Sequence, residues 1–217
     1  MNIRSIYDLN EYLDSELAWR KRELTTAKFL AAKAKPSTLE HHVLVKYAFC
    51  LLYSHWEGFI KRAGAAYLSY LSRLGLTQRE AASSILAYCL IGRFRSVGDI
   101  RKFTPISAII DDLIGPGRDA LNIPWEHLSE DRSVLNPSLL QEIAHVTCIE
   151  YTVYATKEKL LEERLIKTRH SIVHGDRVDV DWDDYQDLHS EVIDLMELFR
   201  DQVENSIALQ SYKRSST

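Results

Sequence analysis

The sequence predicts an all-α fold, an up-and-down helical bundle with an irregular, loop-rich middle. Three observations carry that expectation. Apolar residues recur at helical spacing over long stretches that contain neither Gly nor Pro. The 217 residues hold only 8 Gly and 5 Pro, too little turn chemistry for a β-sandwich or barrel. Apolar residues make up 46% and charged residues 27%, the balance of a chain that buries a core rather than one that stays disordered. The pattern reads as a single helical domain over 1–217, with an insertion at about 91–137.

The first helix is expected from about Ser5 to Ala34, where Tyr7, Leu13, Leu17, Leu24 and Leu30 keep helical spacing. Lys35-Pro36-Ser37 breaks it, and Ser37 or Thr38 is placed to cap the next helix. That second helix should run from Thr38 to Leu74 and stop at Gly75. Its middle, Val43 to Tyr53, is apolar nearly all round, as in a helix buried inside a bundle. Tyr53, Trp56, Phe59 and Tyr67 share nearly one face and read as core. Thr77 should open a short helix, with Glu80 three residues on as in a capping box.

Between Ile91 and Pro137 the glycines and prolines cluster, which predicts loops and short helices. Ser138 to Val146 fits one more short helix. A charged amphipathic helix is expected from Thr152 to Val173, with Gly175 as its stop. Asp181 or Asp183 should cap a last helix of about 25 residues, striped by Tyr185, Leu188, Val192, Leu195, Leu198 and Phe199.

The formal net charge is −4, so a nucleic-acid role has to rest on a local basic surface. Cys50, Cys89 and Cys148 are odd in number and widely spaced, which suggests reduced, buried thiols in a cytoplasmic protein, with no disulfide framework or zinc site. No run reaches ~18 consecutive apolar residues, so no membrane span is expected. The opening MNIRSIYDLNEYLDSE is too polar for a signal peptide. Phosphate loops, HExxH, Cys-x-x-Cys and Gly-x-Ser-x-Gly are missing. His41 and His42 are adjacent on a helix, about 100° apart, and suit a solvated helix entry better than a shared metal. The acidic run from Asp176 to Asp187 lacks the central Gly and closing Glu of a calcium loop. Neither a metal nor a cofactor is expected.

One segment does carry chemistry. Arg169-His170-Ser171-Ile172-Val173-His174-Gly175 puts a fixed cation and an imidazole five residues apart at a helix end. The two project about 140° apart and about 7.5 Å apart along the axis, so they would flank a groove. A guanidinium holds phosphate bidentately, and an imidazole takes or gives the proton of a ribose hydroxyl. The spacing alone is weak, because a chain this rich in Arg and His contains one Arg-x4-His by chance about as often as not. A surface ion pair for Arg169 and a helix-capping role for His174 explain the spacing equally well. The stretch from Ile91 to Phe103 adds Arg93, Arg95, Arg101 and Lys102 against one Asp, a basic loop able to track an RNA backbone or simply a solvated patch.

Company decides between these readings. RHSIVHG resembles the Arg-Asn-x-Ile-x-His-Gly segment of the HEPN superfamily. Leu52-Tyr53-Ser54-His55-Trp56-Glu57-Gly58-Phe59-Ile60-Lys61 resembles the YxHWEGFIK helix of a bacterial, RiboL-PSP-HEPN-like nuclease group, and Leu17-Ala18-Trp19-Arg20-Lys21-Arg22-Glu23 is similar to that group's first helix. The resemblance implies an all-α bundle that dimerises over a shared cleft. It also implies metal-independent endoribonuclease activity, often in toxin–antitoxin, abortive-infection or antiphage systems with a partner protein such as an antitoxin. Carried over, Arg169 would contact the scissile phosphate and His174 would act as acid/base, with His170 standing where the group usually has Asn. Glu57 would either orient Arg169 or a His by pairing, or serve as a structural acceptor. The alternative to a nuclease is a non-catalytic HEPN-fold module that binds RNA, nucleotide or a partner protein, and beyond that a helical scaffold without phosphate chemistry.

Overall fold

The computed structural model describes residues 3–98, 103–115 and 120–214. Among these the chain forms α-helices, one π-helical stretch and two isolated β-bridges, with no strand. Three long helices make the frame: α1 (Ile6–Lys33), α2 (Leu39–Leu71) and α9 (Trp182–Ala208). Between them lie α3 (Ser83–Val97), α4 (Phe103–Ile114), α5 (Glu126–Ser129), α6 (Pro137–Val146), α7 (Thr152–Ala155), a π-helical segment (Leu160–Ile166) and α8 (Lys167–Val173).

The ends of the frame helices follow their capping residues. Ser5 caps α1 by accepting from Asp8 N–H, and the Asp8 carboxylate returns the bond to Ser5 N–H. Thr38 caps α2 and Asp181 caps α9, the latter accepting from the Asp183 and Asp184 amides. The three frame helices stand within a few residues of where their periodicity predicts them.

The core runs along α2. From Leu52 onward that helix is buried almost all round, with Trp56, Phe59, Ile60 and Tyr67 against Leu9, Leu13, Leu17 and Leu24 of α1 and Leu188, Val192, Phe199 and Val203 of α9. Ala63, Gly64, Ala65 and Ala66 leave room for a second layer. A Cβ on Gly64 would stand 2.8 Å from Leu128 of α5 and 3.2 Å from Ile143 of α6.

Three local expectations are corrected. Thr77 opens a turn and not a helix. Glu80 still accepts from Thr77 N–H at 3.0 Å, but the surrounding backbone is spent elsewhere: Leu121 N–H bonds to Leu76 C=O, Ala82 N–H to Tyr212 C=O and Arg214 N–H to Glu80 C=O. The stretch beyond Ile91 is more helical than its glycines suggest. α3 carries Gly92 in its interior, holds Leu90 in the core, and ends only at Gly98, where φ is +69°. Finally, the expected helix from Thr152 to Val173 is divided. After α7 the chain turns, winds as a π-helix through Leu160–Ile166, and becomes α-helical again in α8.

Candidate active site

The π-helical segment determines how α8 meets the bundle. Its buried residues are Leu161 and Leu165, and Arg169 follows four residues later. A continuous α-helix would carry Arg169 about 80° round from Leu161. Turns closed by i→i+5 bonds hold an extra residue and remove most of that drift, so Arg169 stays on the face turned towards α2.

On that face the guanidinium carbon of Arg169 lies 5.0 Å from the ring centroid of Tyr53, a cation–π contact to a buried ring. Among the described residues no carboxylate stands within ion-pair distance of Arg169. Its charge is held in place by an aromatic face rather than neutralised. Tyr53 is itself fixed: its hydroxyl accepts from Leu135 N–H at 3.0 Å, and burial, followed by the neighbouring Glu57 carboxylate, pushes its pKa well up, so it stays protonated.

Glu57 contacts neither Arg169 nor an imidazole. Its carboxylate accepts from Lys61 Nζ at 2.7 Å, and the buried Lys61 also donates to the carbonyls of Asp131 (2.9 Å) and Ser133. Glu57 is paired with Lys61 and neighbours Arg169 only through Tyr53. Glu57 and Lys61 tie the loop before α6 to α2, and that loop supplies the Leu135 amide.

α8 ends at His174 as its cap residue, in αR geometry at φ −80°. Gly175 follows at φ +79°. Gly175 N–H bonds to Ile172 C=O at 3.1 Å and Asp176 N–H to Ser171 C=O at 3.0 Å, the paired bonds of a Schellman stop. His174 is held at the rim of that stop and is exposed. Its ring centroid lies 4.2 Å from that of His170, with the planes 48° apart. Arg169 is half-buried while His170 and His174 are exposed.

The basic segment is arranged differently from expectation. Arg93 and Arg95 lie on the last turns of α3, not in a loop, and Arg93 is paired with Asp112 of α4 at 2.5 Å. Arg95 is exposed and within electrostatic reach of Asp131. Arg101 and Lys102 lie outside the described residues. A separate surface groove of about 400 Å³ between α1 and α2 is lined by Trp19, Glu23, Tyr47 and Leu51 among others, and includes neither Arg169 nor His174. The described residues contain no group of three or more His, Cys, Asp or Glu placed to hold a metal, and no helix among them is long and apolar enough to cross a membrane.

A family model described as HEPN_MAE_28990-like HEPN matches residues 9–212, nearly the whole chain. The chain belongs to the HEPN superfamily. No curated protein and no solved structure matches it.

In this HEPN domain two of the three segments that carried the resemblance are packing partners. Arg20 of α1 is buried, paired with Glu16 at 2.5 Å and laid over the Trp19 ring at 4.3 Å. A Cβ on Gly58 of α2 would come within 3.3 Å of its guanidinium. His55 stands 5.1 Å from the Trp19 ring centroid and 3.0 Å from the Glu23 carboxylate. The Trp-Arg and His-Trp-Glu-Gly elements thus lock α1 to α2. The one residue of these elements that reaches the Arg169 site is Tyr53. Sequence reasoning placed it in the core and missed its second role, although Tyr53 and Glu57 at i, i+4 share a helix face.

Proposed function

We propose that this HEPN protein is a metal-independent endoribonuclease in which Arg169 and His174 carry the chemistry. The observation that supports it best is the Arg169 guanidinium held on the Tyr53 ring with no described carboxylate taking its charge, five residues before an exposed imidazole at a fixed helix end. A cation kept in place but unneutralised keeps its capacity to stabilise charge that develops elsewhere.

In this reading His174 removes the proton from a ribose 2′-hydroxyl, and the 2′-oxygen attacks the adjacent phosphorus. Arg169 stabilises the non-bridging oxygens as their charge grows. The bond from phosphorus to the 5′-oxygen breaks, leaving a 2′,3′-cyclic phosphate, and the 5′-oxygen takes a proton from a second imidazole. His170 lies beside His174 in the same chain, and a two-fold dimer would bring up a further His174 from the second copy. Members of the superfamily commonly act as toxins or defence effectors in the cytoplasm, and the proposal extends to such a role here, with an antitoxin or similar partner restraining it.

The decisive experiment is cleavage of mixed RNA in excess chelator. Wild-type protein should cleave and leave cyclic phosphate ends. Arg169→Ala and His174→Ala should stay folded and lose about 10²-fold or more in rate. Folded variants that cleave as fast as wild type, or activity that disappears on chelation and returns with Mg²⁺, would overturn the proposal.

A further inference from the structure

His170 and His174 stand four residues apart at the end of α8, the spacing that puts two side chains one above the other on a helix. Their ring centroids are 4.2 Å apart, and both rings are exposed. Among the described residues no hydrogen bond or ion pair engages either ring. Of the other six histidines, His127 and His145 are also exposed, but neither ring contacts another imidazole, and the remaining four are engaged. His41 packs on Trp182, His42 faces Asp179, and His55 is set against Glu23. His189 is buried between α1 and α9, in contact with the Leu24 carbonyl. His170 and His174 are a pair of neighbouring imidazoles on exposed residues.

We propose that His170 and His174 together form a chelating site for a borderline transition-metal dication, Zn²⁺ foremost, and that its occupation switches the His174 chemistry off. Two imidazole nitrogens on successive helix turns reach one metal at about 2.0–2.1 Å after modest rotation about their χ angles, which exposure permits. Nitrogen donors favour Zn²⁺, Ni²⁺ and Cu²⁺ over Mg²⁺ and Ca²⁺, which take oxygen ligands. With no third protein ligand placed nearby among the described residues, water completes the coordination. The site is therefore open and exchangeable, suited to sensing a metal and not to holding a structural one. A metal-bound nitrogen has given up the lone pair that would accept the ribose proton. Zinc thus inhibits, the opposite sign to a metal-dependent nuclease. This inhibitory half rests on the nuclease reading; the metal site does not.

The test is titration of full-length protein, freed of metal by chelation, with Zn²⁺ against a chromogenic chelator, alongside RNA cleavage. Wild type and Arg169→Ala should each bind one Zn²⁺ per chain. His170→Asn and His174→Asn should bind it at least about tenfold more weakly, since even outer-shell changes cost 10–100-fold. Circular dichroism should show all four folded alike. Saturating Zn²⁺ should lower wild-type cleavage about tenfold or more, with recovery on chelation. For His170→Asn the ratio of rates with and without Zn²⁺ should stay near one, whatever its zinc-free rate. Undiminished Zn²⁺ affinity in either histidine variant would overturn the site, and binding without loss of rate would overturn the switch. A wild type that never cleaves RNA would instead count against the nuclease reading, while the titration, with Arg169→Ala as control, still decides the site.

Discussion

Tyr53 does two separable things. Its ring carries Arg169, and its hydroxyl accepts the Leu135 amide of the loop that Lys61 ties to α2. Tyr53→Phe keeps the ring and strands a buried N–H, which should cost about 1–3 kcal/mol, read as a lower denaturant midpoint. Tyr53→Leu loses the platform as well, and RNA cleavage should fall beyond what the lost stability explains. Equal cleavage per folded molecule in Tyr53→Leu would mean that the ring does not position Arg169. At this scale the sequence was legible where spacing is local. Gly175 as a helix stop was readable from the chain, and the i, i+4 spacing of His170 and His174 lay within reach of the same rules. The pairing of Glu57 with Lys61 was also within reach of an i, i+4 rule, but the Asp131 and Ser133 carbonyls that complete the Lys61 cluster come from some seventy residues away, and no local pattern announces them.

Helices with strong caps and long apolar stripes were readable to within a few residues at most ends, because Ser5, Thr38 and Asp181 set their starts. The breaks were not. The π-helical stretch over Leu160–Ile166 contains no Gly or Pro; it is visible only once Leu161, Leu165 and Arg169 are seen to share a face. At Thr77 the capping pair that predicts a helix is real, while the backbone bonds that prevent one come from residues 121, 212 and 214. α8 offers a test of its own. Gly175 sits at φ +79°, and a Cβ added there would meet nothing within 4 Å, so Gly175→Ala meets backbone strain and no clash. It should cost about 1–2 kcal/mol, and hydrogen exchange should quicken first at the Gly175 and Asp176 amides that close the stop. An unchanged melting temperature would show that αL geometry is not required there.

The three long helices meet along α2, and α1 also touches α9 through a buried imidazole. His189 of α9 lies beside Tyr185 and in contact with the Leu24 carbonyl of α1. Burial, followed by the charge of Lys28, lowers its pKa from 6.5 to about 4. A histidine kept neutral in the folded state leaves stability intact above pH 6.5. As pH falls below that value the unfolded chain takes up a proton that the folded one refuses, so stability drops until about pH 4 and then levels. The loss should be on the order of 1–3 kcal/mol. Denaturant melts at pH 7 and pH 4.5 should show a steeper decline for wild type than for His189→Gln; parallel declines would place the acid sensitivity elsewhere.

The frame has a consequence for the order in which the molecule is made. More than a hundred residues separate the end of α2 at Leu71 from the start of α9 at Trp182, a gap that takes roughly ten seconds to translate at typical rates. During that interval the α2 surface that α9 will cover, Phe49 and Tyr67 included, has no cover from it: Phe49 waits for Tyr185 and Tyr67 for Ser206. The segment that bears Arg169 and His174 also leaves the ribosome before the helix that closes the bundle. A released chain truncated just short of Asp181 would thus hold the whole Arg-x4-His segment on an open, adhesive half-bundle, a natural target for chaperones and quality-control proteases.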